Sequence, residues 1–339
     1  MTATSGGDTL PGTMRATKRA FLAGSIALIA APLASAAQQA RSTRRIGMVG
    51  PPEEPRFSDI RDALKKGLRE QGFAEPSIEI LESRVPRGDR AAREAVEILI
   101  GQRVEVLFVI GSALARVARQ AAPIHPPVMF ITPGDPVAAG LVATLARPGR
   151  NMTAITFEYP ELSGKRLELL RELRPGVKRV LILYDPRDAS PGQGVEAART
   201  AAARLGLTLV EREIRTSDDI ARGLEMLGQV DALLGVPGGV TTGHFAAMIQ
   251  AAHAKGCPTV FHARTESTAE ALATYGANDA DVARDAARSI AKILRGADAG
   301  DLPVERPSKI ALVINLKTAK ALGLTIPPSL LLRADQVIE

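Results

Sequence analysis

Residues 104–111 read VEVLFVIG, an apolar run broken by one acid and closed by glycine, with Ser112 opening a helical pattern that continues to Ala122. A near-continuous run of β-branched and aromatic residues is the mark of a strand buried on both faces, as in a parallel sheet with helices above and below. The neighbours fit that reading. Upstream, RRIGMVG (44–50) is a short strand, Ser58–Gln71 has helical spacing, SIEILESRV (77–85) alternates, and Asp89–Ile100 is a helix stopped by Gly101. Downstream, PVMFI (127–131) and NMTAITF (151–157) are further strands.

A second series follows. Leu162–Leu173 is amphipathic, KRVLILYD (178–185) is a buried strand, and Gln193–Leu205 is a helix ended at Gly206. LTLVEREI (207–214), DALLGVPGG (231–239) and PTVFH (258–262) are strands, separated by helices at Ser217–Leu227 and Thr242–Lys255. The tail adds a strand at LATYG (272–276), a long helix at Asp279–Leu294, a strand at KIALVINL (309–316) and a short helix. The βαβ pattern occurs twice, so the expected fold class is α/β, with two doubly wound parallel-sheet lobes. Crossings near Phe157, Leu272 and Gly300 make a multi-strand hinge. They assign 44–157 plus 272–300 to an N-terminal lobe and 158–271 plus 301–339 to a C-terminal lobe.

Composition narrows the function. The 339 residues suffice for two domains. The net charge is +6, of which residues 1–36 carry +2, and the remaining basic residues are interleaved with acids. No basic stripe with aromatics is present, so nucleic-acid binding is not expected. Cys257 is the only cysteine, which excludes an internal disulfide, and its apolar setting reads as a small buried side chain. The four histidines form no metal-binding spacing, there is no Walker A or G-x-S-x-G motif, and no cofactor is expected. Gly192-Gln-Gly-Val-Glu-Ala197 matches a dinucleotide fingerprint, but DPRDASP separates it from the strand it would have to follow directly.

The N-terminus reads as an address. Arg15, Lys18 and Arg19 precede an apolar run from Ala20 to Leu33 and then Ala34-Ser35-Ala36, the three regions of a secretory signal cleaved before Ala37. The run is shorter than the ~20 residues of a membrane span. Thr17–Leu22 is similar to a twin-arginine signal with Lys in place of the first Arg, which leaves the Tat and Sec routes both open. Met14 is an alternative start. A periplasmic location is expected.

Three blocks carry a resemblance: GDPVAAGLVATLARPGRNMTAITF (134–157), ELSGKRLELLRELRPGVKRVLILYDP (161–186) and ALVINLKTAKALGLTIPPSLLLRADQVIE (311–339). They resemble the ABC transporter substrate-binding protein family of type I periplasmic-binding-protein fold, the group that includes tryptophan and tyrosine uptake proteins. The likeness extends from about Arg45 to Glu339. It implies two lobes joined by a hinge, a small ligand held between them, delivery to an ABC permease with its ATPase, and no enzymatic activity. Arg150 departs from the family's usual RPGGN turn, and the loop VPGGVTTGHF is atypical. A sensory protein of the same fold is the alternative. An exported enzyme, for which Asp135 with His262 is the only acid/base pair on offer, is a further one.

Ligands on parallel sheets sit beyond the carboxyl ends of the strands, and this selects the candidate residues. Gly111, Ser112 and Ala113 join a strand to a helix N-terminus, whose free N–H groups suit a carboxylate. The Ser112 hydroxyl either caps the helix or reaches the ligand. Thr132 lies in the same layer, and Asp135 either receives a ligand ammonium or makes an ordinary Asp-Pro turn. Aromatics are only 3% of the chain. Tyr184 and Tyr275 read as cleft residues suited to a ring, Phe157 is a cleft candidate that taken alone reads sooner as core, and Phe57 is a candidate lid. Asp185, Pro237, Gly238, His262, Arg264 and Glu266 fall on the matching edge of the second lobe, where Arg264 pairs with either an anion or Glu266. The expected ligand is amino-acid-like or a small aromatic molecule, taken up by a monomer.

Overall fold

Side chains along β3 (Val106–Ile110) divide between two cores. Val106, Phe108 and Ile110 pack into one, and Leu107 and Val109 into the other. All five are buried, as strand alternation requires when both faces of a sheet are covered. Each buried apolar side chain of this size contributes roughly 1.5–3 kcal/mol relative to an exposed one.

The computed structural model describes residues 43–50, 52, 56–85, 88–158, 160–187, 189–236, 238, 240–262 and 265–339. The segment read as an export signal, residues 1–36, lies outside them. Arg44–Glu339 forms one compact unit. Among the described residues no helix is long and apolar enough to cross a membrane.

The first sheet is built from β1 (Arg44–Gly50), β2 (Ile78–Arg84), β3, β4 (Val128–Pro133) and β5 (Met152–Glu158). Its order is β2-β1-β3-β4-β5, all parallel. The helices α1 (Arg56–Glu70), α2 (Asp89–Gly101) and α3 (Ser112–Ala121) connect its strands. The Arg150 position shows why glycine is usual in its turn. Its φ is 55°, in the left-handed region where a residue without Cβ is favoured.

The second half begins with α4 (Pro160–Leu173). It continues through β6 (Arg179–Tyr184), α5 (Ala189–Leu205), β7 (Thr208–Glu213), α6 (Ser217–Leu224), β8 (Ala232–Leu234), α7 (Phe245–Ala254), β9 (Thr259–Phe261) and β10 (Ala273–Gly276). After α8 (Asp279–Leu294) come β11 (Ala311–Asn315), α9 (Leu316–Ala321), α10 (Pro328–Arg333) and β12 (Gln336–Ile338). Seven strands make the second sheet, in the order β12-β11-β10-β9-β8-β6-β7. Its two faces are again covered by separate cores.

Two expectations need correction. The stretch 272–300 does not belong to the first lobe as a whole. Strand β10 pairs with β9 and β11 in the second sheet, while α8 packs on α1 and on β4 and β5 of the first. The chain therefore changes lobe between Gly276 and Asp279 rather than near Leu272. It then runs back beside β5, where Glu305 N–H donates to the Ala154 carbonyl (2.9 Å) and Thr156 N–H to the Glu305 carbonyl (3.1 Å). The return to the second lobe thus falls between Glu305 and Ala311, beyond Gly300. The second sheet is also not wholly parallel, because β10 and β11 are antiparallel. The route explains this. The segment beside β5 runs toward that strand's carboxyl end, so β11 enters the second sheet from the edge at which β10 left it.

The α1–α8 contact depends on Gly67. A Cβ there would lie 2.7 Å from the Ala287 Cβ and 2.8 Å from the Arg284 carbonyl oxygen. Gly67→Ala gains ~1 kcal/mol of helix propensity but forces the two helices apart, which typically costs ~1–3 kcal/mol. Urea unfolding should show a net loss of about 1 kcal/mol for Gly67→Ala, and a larger loss for Gly67→Val.

Candidate functional site

On the first lobe the site begins at Gly111. Its φ of 101° turns the chain from β3 into α3, and its N–H donates to the Ile131 carbonyl (2.8 Å). Ser112 is the first helical residue and makes no cap, because Gly111 holds the N-cap position. The Ser112 hydroxyl instead bonds the Thr132 hydroxyl at 2.5 Å. Thr132 is buried at the end of β4. Ala113 is exposed in the first turn of α3. Beyond β4, an Asp135 carboxylate oxygen accepts the Val137 N–H (2.7 Å), an ordinary Asx-type turn. The Asp135 N–H donates across to Oε1 of Gln193, in the first turns of α5, at 3.4 Å. The end of β4 thus meets the second lobe.

On the second lobe, α4 carries Ser163 and Arg166 one turn apart, and both are buried. The Arg166 guanidinium is 0% exposed. Its Nε donates to the Tyr275 carbonyl (2.8 Å) and its Nη2 to the His262 carbonyl (3.4 Å). These carbonyls lie at the ends of β10 and β9. Gly276 allows the approach, since a Cβ there would lie 1.8 Å from the His262 oxygen. The His262 ring rests against Phe245, with centroids 5.4 Å apart, and its Nδ1 is buried without a hydrogen-bond partner. The Ser163 hydroxyl is likewise buried without a partner.

A charged pair of the first lobe faces this cluster. Arg56, at the start of α1, bonds Asp279, at the start of α8, at 2.5 Å. Burial pushes the His262 pKa down to about 3, helped by the Arg166 and Arg56 charges and opposed by Asp279. For Asp279, burial pushes upward, but the charge and hydrogen bond of Arg56 outweigh it and hold the carboxyl below its usual range. The imidazole is therefore neutral at physiological pH, beside a closed ion pair.

The other candidates are not brought to this edge. Phe57 is not a lid: it is 1% exposed, packed in the first lobe's core, with the Arg84 guanidinium 4.9 Å over its ring. Phe157 is in the same core. Tyr184 follows the alternation of β6 into the core shared with α5, and burial raises its pKa beside Glu211. The Tyr275 side chain packs against that core too, so its carbonyl rather than its ring serves the cluster. Asp185 is bound at both oxygens by Arg187 and held below the usual carboxylate range by that bond. The Gly238 carbonyl accepts from Thr241 and Thr242. Glu266 is exposed at the start of a short 3-10 turn. Pro237 and Arg264 lie outside the described residues.

Sequence reading passed over Arg56, Ser163, Arg166, Gln193 and Asp279. Arg166 did leave a signal: it sits on the stripe of Leu162, Leu169, Leu170 and Leu173, where a charge is out of place. Asp279 left none, since an acid in a helix's first turn is explained by the helix dipole. A cavity of about 650 Å³ opens elsewhere, at the amino-terminal edge of the first sheet, lined by Arg44, His125, Asn151 and Asp298 among others. It contains none of the cluster. Among the described residues no group of three or more His, Cys, Asp or Glu can hold a metal ion.

The neutral His262 has a pH consequence. Unfolded, its imidazole takes a proton below about 6.5; folded, it does so only near 3. The unfolded state binds the extra proton between these values, so stability falls as the pH drops through that window. His262→Gln removes this contribution. Its thermal midpoint should decline less than that of the unaltered protein between pH 6.5 and 4.5.

Comparison with known proteins bears on the fold and the cleft together. A structure from Vibrio cholerae O1 biovar El Tor, described as a conserved domain protein, is 27% identical, with TM-score 0.79 over 87% of this chain and all of that one. The ABC domain from Streptococcus pneumonia in complex with L-Trp is 26% identical, with TM-score 0.80 over 88% of this chain and all of that one. The tyrosine-binding protein of Clostridioides difficile is 23% identical over 286 residues, 84% of this chain and 82% of its own length. Residues 45–338 match the family model for ABC transporter substrate binding proteins. Two lobes, polar groups of both at their facing edges, and a match over nearly the whole described chain lead to one conclusion: this chain belongs to the ABC transporter substrate-binding protein family.

Proposed function

We propose that the chain is the periplasmic component of an importer for an amino-acid-like, aromatic small molecule, exported by residues 1–36 and working with a membrane permease and its ATPase. The observation that carries this reading is the convergence of polar groups from both lobes on one cleft. Asp135 reaches Gln193 across it, and Arg166 and His262 face Arg56 and Asp279. The L-Trp complex from Streptococcus pneumonia and the tyrosine-binding protein of Clostridioides difficile support an aromatic amino acid as the class.

In this reading the amino-acid end sits on the first lobe. The unused N–H groups of the first turn of α3 take the carboxylate, in the layer of Ser112 and Thr132. The second carboxylate oxygen of Asp135 takes the ammonium. Binding shifts an open–closed equilibrium about the three connecting segments, and no bond is made or broken.

A thermal-shift screen of Ala37–Glu339 against amino acids, aromatic acids, nucleosides and sugars tests the proposal. A ligand at 100 times its Kd adds about 2.7 kcal/mol of stability. Aromatic amino acids should raise the midpoint and sugars should not. A shift with sugars or nucleosides alone would overturn the ligand class.

A further inference from the structure

We propose that Ser163 and His262 read the far end of the ligand, and that the ligand carries there an uncharged hydrogen-bonding group, a hydroxyl or a ring N–H. The inference rests on the proposed seating of an amino-acid end against the first lobe.

Two buried polar atoms at one sheet edge lack partners, the Ser163 Oγ and the His262 Nδ1. Folded proteins leave few such atoms, because water must be given up without replacement. Among the described residues two other side chains share the condition, and each lines a different cavity: Asn151 the one at the amino-terminal edge of the first sheet, and Thr274 a small one with Thr268, Asn315 and Ile338. Ser163 and His262 are on the cleft side and close together in the fold. Ser163 is in the first turn of α4. A Cβ added to its neighbour Gly194 would lie 3.0 Å from the Ser163 Oγ and 3.6 Å from Val236, just past the end of β8. His262 directly follows β9, the strand paired with β8, and paired strands run about 4.8 Å apart. Arg166, one turn beyond Ser163, bonds the His262 carbonyl and fixes the two relative to each other. Gln193, beside Gly194, reaches the first lobe at Asp135.

The chemistry of the pair selects the ligand group. A hydroxyl donates and accepts. A neutral imidazole, as burial and the two guanidiniums keep this one, offers one donor and one acceptor nitrogen. Such a pair matches a group that is itself a donor, an acceptor or both, without net charge. A cation there would meet the Arg166 and Arg56 charges, and a charge of either sign would have to be buried beside an imidazole that stays neutral. The missing side chain of Gly194 leaves room beside the buried Ser163 hydroxyl on the α5 side, and a side chain at 194 would fill it.

Calorimetric titration with L-tyrosine, L-tryptophan and L-phenylalanine separates this inference from the function on which it rests. A site built for a hydrogen bond rejects the analogue that lacks it far more strongly than an apolar pocket does. The protein should bind phenylalanine at least ~100-fold more weakly than the better of the other two. Ser163→Ala and His262→Phe should each cut that preference below about 10-fold by weakening only the polar ligand. His262→Gln, which keeps a donor and an acceptor, should restore part of it. Gly194→Val should weaken the polar ligand as Ser163→Ala does. Thermal midpoints for each variant show that the fold survives. Equal affinity for all three amino acids in the unaltered protein would overturn the inference while leaving the aromatic class standing. Equal losses for phenylalanine and the polar ligand in the variants would overturn it as well. Binding of none of the three would remove the amino-acid reading and this inference with it.

Discussion

A guanidinium shut off from solvent orders the edge of the second sheet that faces the first lobe. Arg166 reaches from α4 to the carbonyls at the ends of β9 and β10 and ties these two paired strands to the helix at their cleft edge. A buried cation costs several kcal/mol of lost hydration unless its N–H groups are met. The Tyr275 and His262 carbonyl oxygens meet two of them here. The adjacent imidazole stays neutral, first because it is buried and then because the Arg166 charge lies beside it. A single side chain on a leucine stripe thus ties together the cleft ends of two strands.

The three connections between lobes follow the same edge. The chain leaves β5 for α4, leaves β10 for α8, and returns from Glu305 to β11. Asn278 caps α8 at the second crossing, accepting the Asp281 N–H at 2.7 Å, so the helix that carries Asp279 starts at the hinge itself. Rotation about these segments moves Arg56 and Asp279 relative to Arg166 and His262. Arg166 on α4 and Asp279 on α8 thus belong to helices that begin at the crossings.

Much of this was legible in the sequence. VEVLFVIG and KRVLILYD announce two doubly covered sheets, since apolar runs of that length have no solvent face to offer. The antiparallel β11 was not legible, because pairing direction depends on the path of a distant segment beside β5. The strand β12 has only three residues and left no periodic signal. At the site, rules about strand ends placed Ser112, Thr132, Asp135 and His262 near the cleft. They failed for Tyr184 and Phe57, where alternation and core packing decide which way a ring points. Arg166 and Ser163 were missed because an amphipathic helix was read for its leucines, and the polar residues on the same stripe were not asked what they bury.

Hydrogen exchange followed by mass spectrometry, with and without a saturating aromatic amino acid that binds, tests the central claim most directly. Exchange reports local opening along the whole backbone. If the ligand sits between the lobes, protection should rise together at the end of β4 through Asp135, at the start of α4, around Gln193 and at the end of β9. Protection confined to one lobe, or to the segments around His125 and Asp298 that line the amino-edge cavity, would contradict it.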